Sequence, residues 1–248
     1  MVVITDLTDI KYVPHLLDHI CSHPNELLYL SAKGRGFDQP GGVALLQLIF
    51  LDQVFVLDPY AYGKKLFETE SSTEPCQTLS FILQDPGRLK VGFDVRSLCN
   101  YLHQHFNITL QGVLDLQVYD ARRHIQDESP FLAGLNTAVL RSHGRSAPKW
   151  IQKKVTERSY KGRRFVDQKG GSSASLYARP LTRSVLFYCS LDAILLPYMM
   201  SAFVLAPETM REEVLRASGL RVLDALSAGF SVNAPERKLK EDGYLLPS

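Results

Sequence analysis

Leu28-Tyr29-Leu30-Ser31-Ala32-Lys33-Gly34 indicates the architecture of this chain most directly. The segment has the composition of a strand and leads into a glycine turn. Two more strand candidates follow in quick succession, at 43–50 and 53–58. Gly41-Gly42 and Leu51-Asp52 separate the three segments. This spacing predicts an antiparallel meander whose first strand covers 27–33.

Helical and extended patterns alternate along the rest of the chain. Residues 6–23 have the amphipathic period of a helix that is opened by an Asp or Thr cap. We predict further helices at 78–84, 96–106, 119–140, 183–203 and 207–228, and short strands at 90–94 and 114–118. Strands followed by a strand–helix alternation indicate an α/β fold, with a mixed sheet of five to six strands flanked by helices. We expect one domain over 1–230 and a polar tail over 231–248.

Residues 141–175 interrupt this pattern with a run of basic side chains. Ten Lys or Arg residues lie here against two acids, Glu157 and Asp167, and we predict a loop-rich insertion. The aromatic residues Trp150, Tyr160 and Phe165 are interleaved with the charges, as in surfaces that stack bases and contact phosphates. The alternative interpretation is a solvated loop with Trp150 anchored in the core.

The overall composition sets limits on location and partners. The 248 residues include 28 basic and 26 acidic side chains, so the net charge of +2 alone indicates no polyanionic partner. No apolar run reaches the roughly 20 residues of a membrane span, and the N-terminus lacks signal-peptide features. We expect a cytoplasmic or nuclear protein that is not secreted, has no membrane partner and keeps its four cysteines reduced. His15, His19 and His23 share a helix face, for which a solvated or partly buried surface is favoured over a metal site.

Four short motifs resemble those of the DEDDy-type 3′–5′ exonuclease domain family, which has the ribonuclease H-like superfold. Residues 28–34 lie where that family has Asp-x-Glu-Gly, and residues 90–96 are similar to the start of its second motif. Residues 113–117 resemble its V-x-D-x-Q strand, and Arg179-Pro180-Leu181 with Tyr188-Cys189-Ser190-Leu191-Asp192 resembles the Tyr-x-x-x-Asp motif. The order and spacing of the motifs carry the resemblance, which is strongest to fungal stand-alone domains and animal exonuclease-domain-containing proteins.

The resemblance implies a metal centre for which this chain lacks most ligands. Family members hold two metal ions with four acids, and the ions activate the attacking water. The matching positions here are Ser31, Lys33, Leu98 and Asp192, so only the last keeps a carboxylate. The site charge therefore changes from about −4 to about 0, and the ammonium of Lys33 repels a divalent ion. We expect no two-metal centre and no Mg²⁺ or Mn²⁺ cofactor, the alternative being a residual one-metal site at Asp192.

The resemblance also implies roles for the residues that this chain keeps. Tyr188 orients the attacking water in the family, and it shares a helix face with Asp192 at a spacing of four. We expect Tyr188 to be packed, Asp192 to pair with Lys33, and Asp94 to be a supporting residue. An ammonium at position 33 offers a contact for a nucleic-acid phosphate. The predicted nucleic-acid-binding residues are Lys33, Arg35, Arg96, Lys149, Trp150, Lys153, Lys154, Arg163 and Arg164.

Three functions of different class follow from these observations. The favoured one is a catalytically inactive exonuclease-like module. It binds nucleic acid, for which RNA is favoured over DNA, or it serves as a subunit of an assembly. The second is a protein-interaction scaffold without nucleic-acid binding. The third is an active metal-dependent exonuclease with a non-standard site, in which Asp94, Asp115, Asp120 or Asp192 is a ligand. The apolar residues 193–200, with Met199 and Met200, are expected in the core, and a homodimer interface is the alternative.

Overall fold

The computed structural model describes residues 3–74, 77–144, 146–165 and 172–231, together with Ala234 and Lys238. Its strands are β1 (Val3–Leu7), β2 (Leu28–Gly34), β3 (Val43–Phe50), β4 (Gln53–Leu57), β5 (Lys90–Gly92) and β6 (Val113–Asp115). They form one mixed six-stranded sheet in the order β1-β4-β3-β2-β5-β6. The predicted meander is confirmed, because β2 pairs antiparallel with β3 and β3 pairs antiparallel with β4. The outer strands pair in parallel, β1 with β4, β5 with β2 and β6 with β5.

Helices cover both faces of this sheet. They are α1 (Val13–Cys21), α2 (Pro59–Tyr62), α3 (Lys64–Glu68), α4 (Leu79–Gln84), α5 (Arg96–Phe106), α6 (Leu116–Arg123), α7 (Leu135–Arg141), α8 (Lys149–Arg163), α9 (Ala174–Tyr177), α10 (Arg183–Val204) and α11 (Glu208–Ala225). Leu45 and Val56 belong to an apolar cluster shared with α6, α7, α8 and α10. Leu46 and Leu48 point to a second cluster, shared with α1, α4 and α5. The predicted α/β architecture of a helix-flanked mixed sheet is therefore confirmed.

The helix predicted over 6–23 is wrong in its first part. Residues 3–7 form β1, whose backbone pairs with β4 from Val3 opposite Gln53 to Leu7 opposite Leu57. The α-helix begins only at Val13 and ends at Cys21. Long-range strand pairing outweighs the local helical period here, because a half-apolar segment fits either element.

Boundaries further along the chain also differ from the sequence prediction. The strand predicted over 114–118 ends at Asp115, because the carboxylate of Asp115 accepts a hydrogen bond from the Gln117 backbone at 2.9 Å and thereby caps α6. The helix predicted over 119–140 is two helices, α6 and α7, separated by the non-helical residues 124–134.

The loop-rich insertion predicted over 141–175 is also wrong, since its central part is the 15-residue helix α8. Ile151 and Val155 are its buried residues, and they pack in the cluster that also contains residues of α10. Only two apolar residues mark the inner face, so the basic composition concealed the helical period. Arg145 and residues 166–171, part of the same prediction, lie outside the described residues, as do Cys76 and most of the predicted tail.

Helix α10 carries the Tyr188 and Asp192 pair through the centre of the molecule. Its length and apolar composition would suit a membrane span, but most residues of its apolar stretch are buried inside the fold. Met199 and Met200 are both buried in the apolar cluster on this face, which confirms the expected core position. A core helix therefore holds the retained motif residues in fixed positions beneath β2.

Candidate functional site

The retained acid and two of the replaced positions meet at one point. Ser31 and Lys33 are two residues apart on β2, so their side chains lie on the same face of the sheet. That face is directed towards Asp192 on α10. The Ser31 hydroxyl donates to Asp192 Oδ2 at 2.5 Å, and the Lys33 ammonium donates to the same oxygen. Lys33 Nζ also lies 3.3 Å from Ser31 Oγ. The expected pairing of Asp192 with Lys33 is confirmed.

A second cation reaches the same carboxylate from α8. Arg158 Nε donates to Asp192 Oδ1 at 2.7 Å, and Arg158 Nη1 donates to Asn136 Oδ1 at 3.2 Å. In the sequence, Arg158 is one member of the basic run, and no motif assigns it a role in the site. A signal is nevertheless present, because Arg158 follows the buried Ile151 and Val155 at the i+7 and i+3 positions and so shares the inner face of α8.

The two cations keep Asp192 ionised in spite of its burial. Burial by itself would raise the pKa of the carboxyl, but Arg158 and Lys33 outweigh that effect and hold the pKa of Asp192 well below its usual range. For Arg158, burial by itself would lower the pKa, and the charge of Asp192 raises it above the usual value. We therefore describe the site as an ion triad, Lys33–Asp192–Arg158, with Ser31 as an additional donor.

The remaining family positions lie around this ion triad. Leu98, where the resemblance implies the third acid, is buried on α5 and forms part of the pocket wall. Tyr188 is buried, as expected, with its ring centroid 5.2 Å from that of Phe165 and 5.0 Å from Lys33 Nζ. Asp94 also lines the pocket, and its carboxylate accepts from Arg96 Nε at 2.9 Å.

The donor chemistry of this pocket differs from what paired Mg²⁺ requires. Both oxygens of Asp192 accept hydrogen bonds from protein donors, and an ammonium, a hydroxyl and an alkyl group stand where oxygen ligands would be needed. Within the described part of the chain, no group of three His, Cys, Asp or Glu side chains could hold a metal ion. His15, His19 and His23 are among the described residues and do not form such a group.

The acids considered as substitute ligands have partners of their own. Asp115 is fully buried and accepts from Arg221 Nη1 at 2.9 Å. Asp120 accepts from Arg141 Nε at 2.8 Å and from its Nη2 at 2.5 Å. Neither carboxylate lines the pocket that holds the ion triad. Asp115 instead supports the site indirectly, because it accepts from the backbone of Asp94 at 2.8 Å.

The predicted nucleic-acid-binding residues divide into three groups. Lys33 and Arg96 are buried and engaged with Asp192 and Asp94, so neither lies on the surface. Arg35 is exposed at the end of β2 and lines a different cavity, beside Tyr60 and Tyr177. The largest group lies on or next to α8: Lys149, Trp150, Lys153, Lys154, Arg163 and Arg164.

Helix α8 presents a basic face with exposed aromatic rings. Trp150 is 55% exposed and Tyr160 is 58% exposed, so the alternative of Trp150 anchored in the core is wrong. Lys149 and Lys153 are exposed one turn apart, on the same face as Tyr160. Arg164 lies over the Tyr160 ring, 5.2 Å from its centroid. The helix thus offers positive charge and aromatic surface outside, and Arg158 inside.

Comparison with known proteins identifies the family. A family model described as 3′–5′ exonuclease matches residues 36–205, more than half of the chain. The chain belongs to the 3′–5′ exonuclease family. Its six-stranded sheet and the meeting of the first and third motif positions agree with the resemblance that the sequence motifs carry.

Named relatives match this exonuclease domain over part of their length. The piRNA biogenesis protein EXD1 of Mus musculus is 26% identical over 140 residues, which cover 53% of the chain and 23% of that protein. The human EXD1 is 27% identical over 128 residues, covering 50% of the chain and 23% of that protein. The matched region thus spans about a quarter of these curated relatives.

The fold is shared with solved ribonuclease D structures. The GMP complex of Trypanosoma brucei RNase D has a TM-score of 0.74 at 16% identity, over 98% of this chain and 71% of that one. At such low identity the similarity shows the fold alone. It confirms that the exonuclease domain has the ribonuclease H-like α/β architecture.

Proposed function

We propose that this exonuclease-family domain is catalytically inactive and binds single-stranded nucleic acid, with RNA as the expected ligand. The observation that carries the proposal is the ion triad. A carboxylate that binds an ammonium and a guanidinium already has the cations that balance its charge, so a divalent ion would have to displace both. The domain would therefore hold nucleic acid without hydrolysing it, and it would have no Mg²⁺ or Mn²⁺ cofactor.

Binding is supported by the exposed face of α8. Single-stranded nucleic acids are held by positive charge that follows the backbone and by aromatic rings that stack with bases. Lys149, Lys153 and Arg164 supply the charge, and Trp150 and Tyr160 supply the rings. The fold neighbour from Trypanosoma brucei has been solved in complex with RNA U12, with a TM-score of 0.70 at 16% identity over 98% of this chain and 77% of that one. The choice of RNA, a role inside an assembly and a cytoplasmic or nuclear location are parts of this proposal.

The experiment is a salt titration of RNA binding. Exchange of Lys149 and Lys153 together for Gln should weaken binding of a labelled single-stranded RNA, measured by fluorescence anisotropy. It should also reduce the slope of log K against log salt by about 1.4, since each neutralised phosphate contributes about 0.7 for a single strand. The same exchange at Lys64 and Lys65 on α3 removes equal charge and should leave the slope unchanged.

The outcomes separate the three candidate functions. Salt-dependent binding with recovery of full-length RNA in Mg²⁺ supports the proposal. Absence of binding by the wild type, with a stable protein partner in its place, supports a protein-interaction scaffold and contradicts the proposal. Shortened RNA that depends on a divalent ion supports an active exonuclease and also contradicts it.

A further inference from the structure

The three residues of the ion triad line a pocket with a volume of about 260 Å³. Its polar lining residues are Ser31, Lys33, Asp94, Ser97, Arg158 and Asp192. Apolar side chains form the remaining wall, among them Leu30, Phe37, Phe93, Leu98, Leu135 and Leu196. A concave site with a few convergent polar groups and apolar walls is the usual form of a small-molecule or nucleotide site.

The charges of this pocket do not cancel. Lys33 and Arg158 contribute two positive charges, and Asp192 contributes one negative charge. The fourth charged wall residue, Asp94, is neutralised by Arg96 at 2.9 Å. One positive charge is therefore in excess, and a low-dielectric pocket of this kind attracts an anion.

The two cations differ in what they can still bind. The Lys33 side chain is 8% exposed, and its ammonium contacts Asp192, Ser31 and the Tyr188 ring. An ammonium has three donors, so these contacts occupy Lys33. This arrangement argues against the sequence-based hypothesis that Lys33 itself contacts a phosphate.

Arg158 keeps a donor for a ligand. Its side chain is 21% exposed, and it uses Nε for Asp192 and Nη1 for Asn136. No described residue accepts a hydrogen bond from its Nη2. Asn136 is itself fixed by donating to Ser159 Oγ at 2.7 Å, so the guanidinium is held at two points. A fixed guanidinium with a remaining donor is well suited to a phosphate oxygen.

We infer that Arg158 is the phosphate-binding residue of this pocket, and that it binds a nucleic-acid phosphate without any metal ion. The inference deepens the proposed function and rests on it, since it assigns one residue and one mode of contact to nucleic-acid binding. Asp192 is then a positioning residue, which orients the guanidinium towards the ligand. A base or sugar of the same nucleotide is placed against the apolar wall that contains Phe37 and Phe93.

The test measures binding of a labelled single-stranded RNA by fluorescence anisotropy in buffer with EDTA. Exchange of Arg158 for Gln should weaken binding at least about tenfold, because a charged hydrogen bond contributes on the order of 1.5–3 kcal/mol and each 1.4 kcal/mol is tenfold. The salt slope should fall by about 0.7, because the variant neutralises one phosphate fewer. Exchange of Arg216 for Gln, on the exposed side of α11, removes the same charge and should change affinity less than about twofold.

A conservative variant separates hydrogen-bond geometry from charge. Arg158→Lys keeps the charge but lacks the planar fork, so it should recover only part of the affinity. The inference is overturned if Arg158→Gln binds as tightly as the wild type, or if EDTA abolishes wild-type binding. Wild-type protein that binds no RNA under any condition would instead contradict the proposed function. In the Arg158→Gln variant the ion pair between Asp192 and Lys33 remains, so thermal unfolding of the variant should stay cooperative. This measurement checks that the variant is folded.

Discussion

Exchange of Asp192 for Ala should lower the free energy of unfolding by about 3–5 kcal/mol, because it leaves the buried Lys33 and the partly buried Arg158 without their shared carboxylate. Urea unfolding followed by circular dichroism measures this change. The destabilisation should be smaller when Lys33→Met accompanies the exchange, because the uncompensated ammonium is then also removed. Arg158 would keep its bond to Asn136 in that double variant.

The control is an ion pair on the surface. Glu213 accepts from Arg122 at 2.6 Å, and both side chains are partly exposed. Its exchange for Ala should cost no more than about 1 kcal/mol, as is usual for such pairs. The pKa of Asp192 is lower in the folded than in the unfolded chain, so its contribution is present above about pH 4 and is lost on acidification. An Asp192→Ala variant as stable as the wild type at pH 7 would contradict the ion triad.

Restoration of the family acids should create a divalent-ion site. The combined variant Ser31→Asp, Lys33→Glu and Leu98→Asp changes the charge of these three positions by four units, because Lys33 loses a positive charge and three carboxylates are added. We expect Mn²⁺ affinity, measured by isothermal titration calorimetry, to increase by at least about 100-fold over the wild type. A 100-fold gain is two factors of ten, at about 1.4 kcal/mol each. This is less than the attraction of about 4 kcal/mol between a single pair of unit charges 4 Å apart at an effective dielectric of 20, so the expected gain is a conservative estimate.

A matched neutral variant isolates charge from polarity. Ser31→Asn, Lys33→Gln and Leu98→Asn place side chains of nearly the same size at the same positions without carboxylates, and this variant should show no comparable gain. Because Leu98 is buried, an Asp at this position could prevent folding of the triple variant. In that case the double variant Ser31→Asp with Lys33→Glu is tested in its place. Wild-type protein that binds Mn²⁺ as tightly as the restored variant would contradict the account.

The sequence predicted the parts of the fold that local patterns determine. The meander of β2, β3 and β4 was predictable because apolar strands are separated by short turns, and β3 is buried along its whole length. Helix α5 was predicted with its observed bounds, Arg96–Phe106. Strand β1 was not predictable, because its state depends on pairing with Gln53–Leu57, some 50 residues away in the chain.

The candidate site was predictable only where a motif marked it. The pairing of Lys33 with Asp192 followed from motif positions that the fold brings together. Arg158 was missed because its role depends on the orientation of α8, which the basic composition concealed. Arg96 was assigned to a binding surface because the sequence does not show that its guanidinium is buried against Asp94.

The most direct test of the central claim is incubation of the wild-type protein with a 5′-labelled single-stranded RNA and Mn²⁺, with the products separated on a denaturing gel. The restored variant Ser31→Asp, Lys33→Glu and Leu98→Asp runs beside it. We predict that the RNA incubated with the wild type stays at full length, with or without EDTA. A ladder of products shortened from the 3′ end, formed by the wild type and abolished by EDTA, would contradict the account.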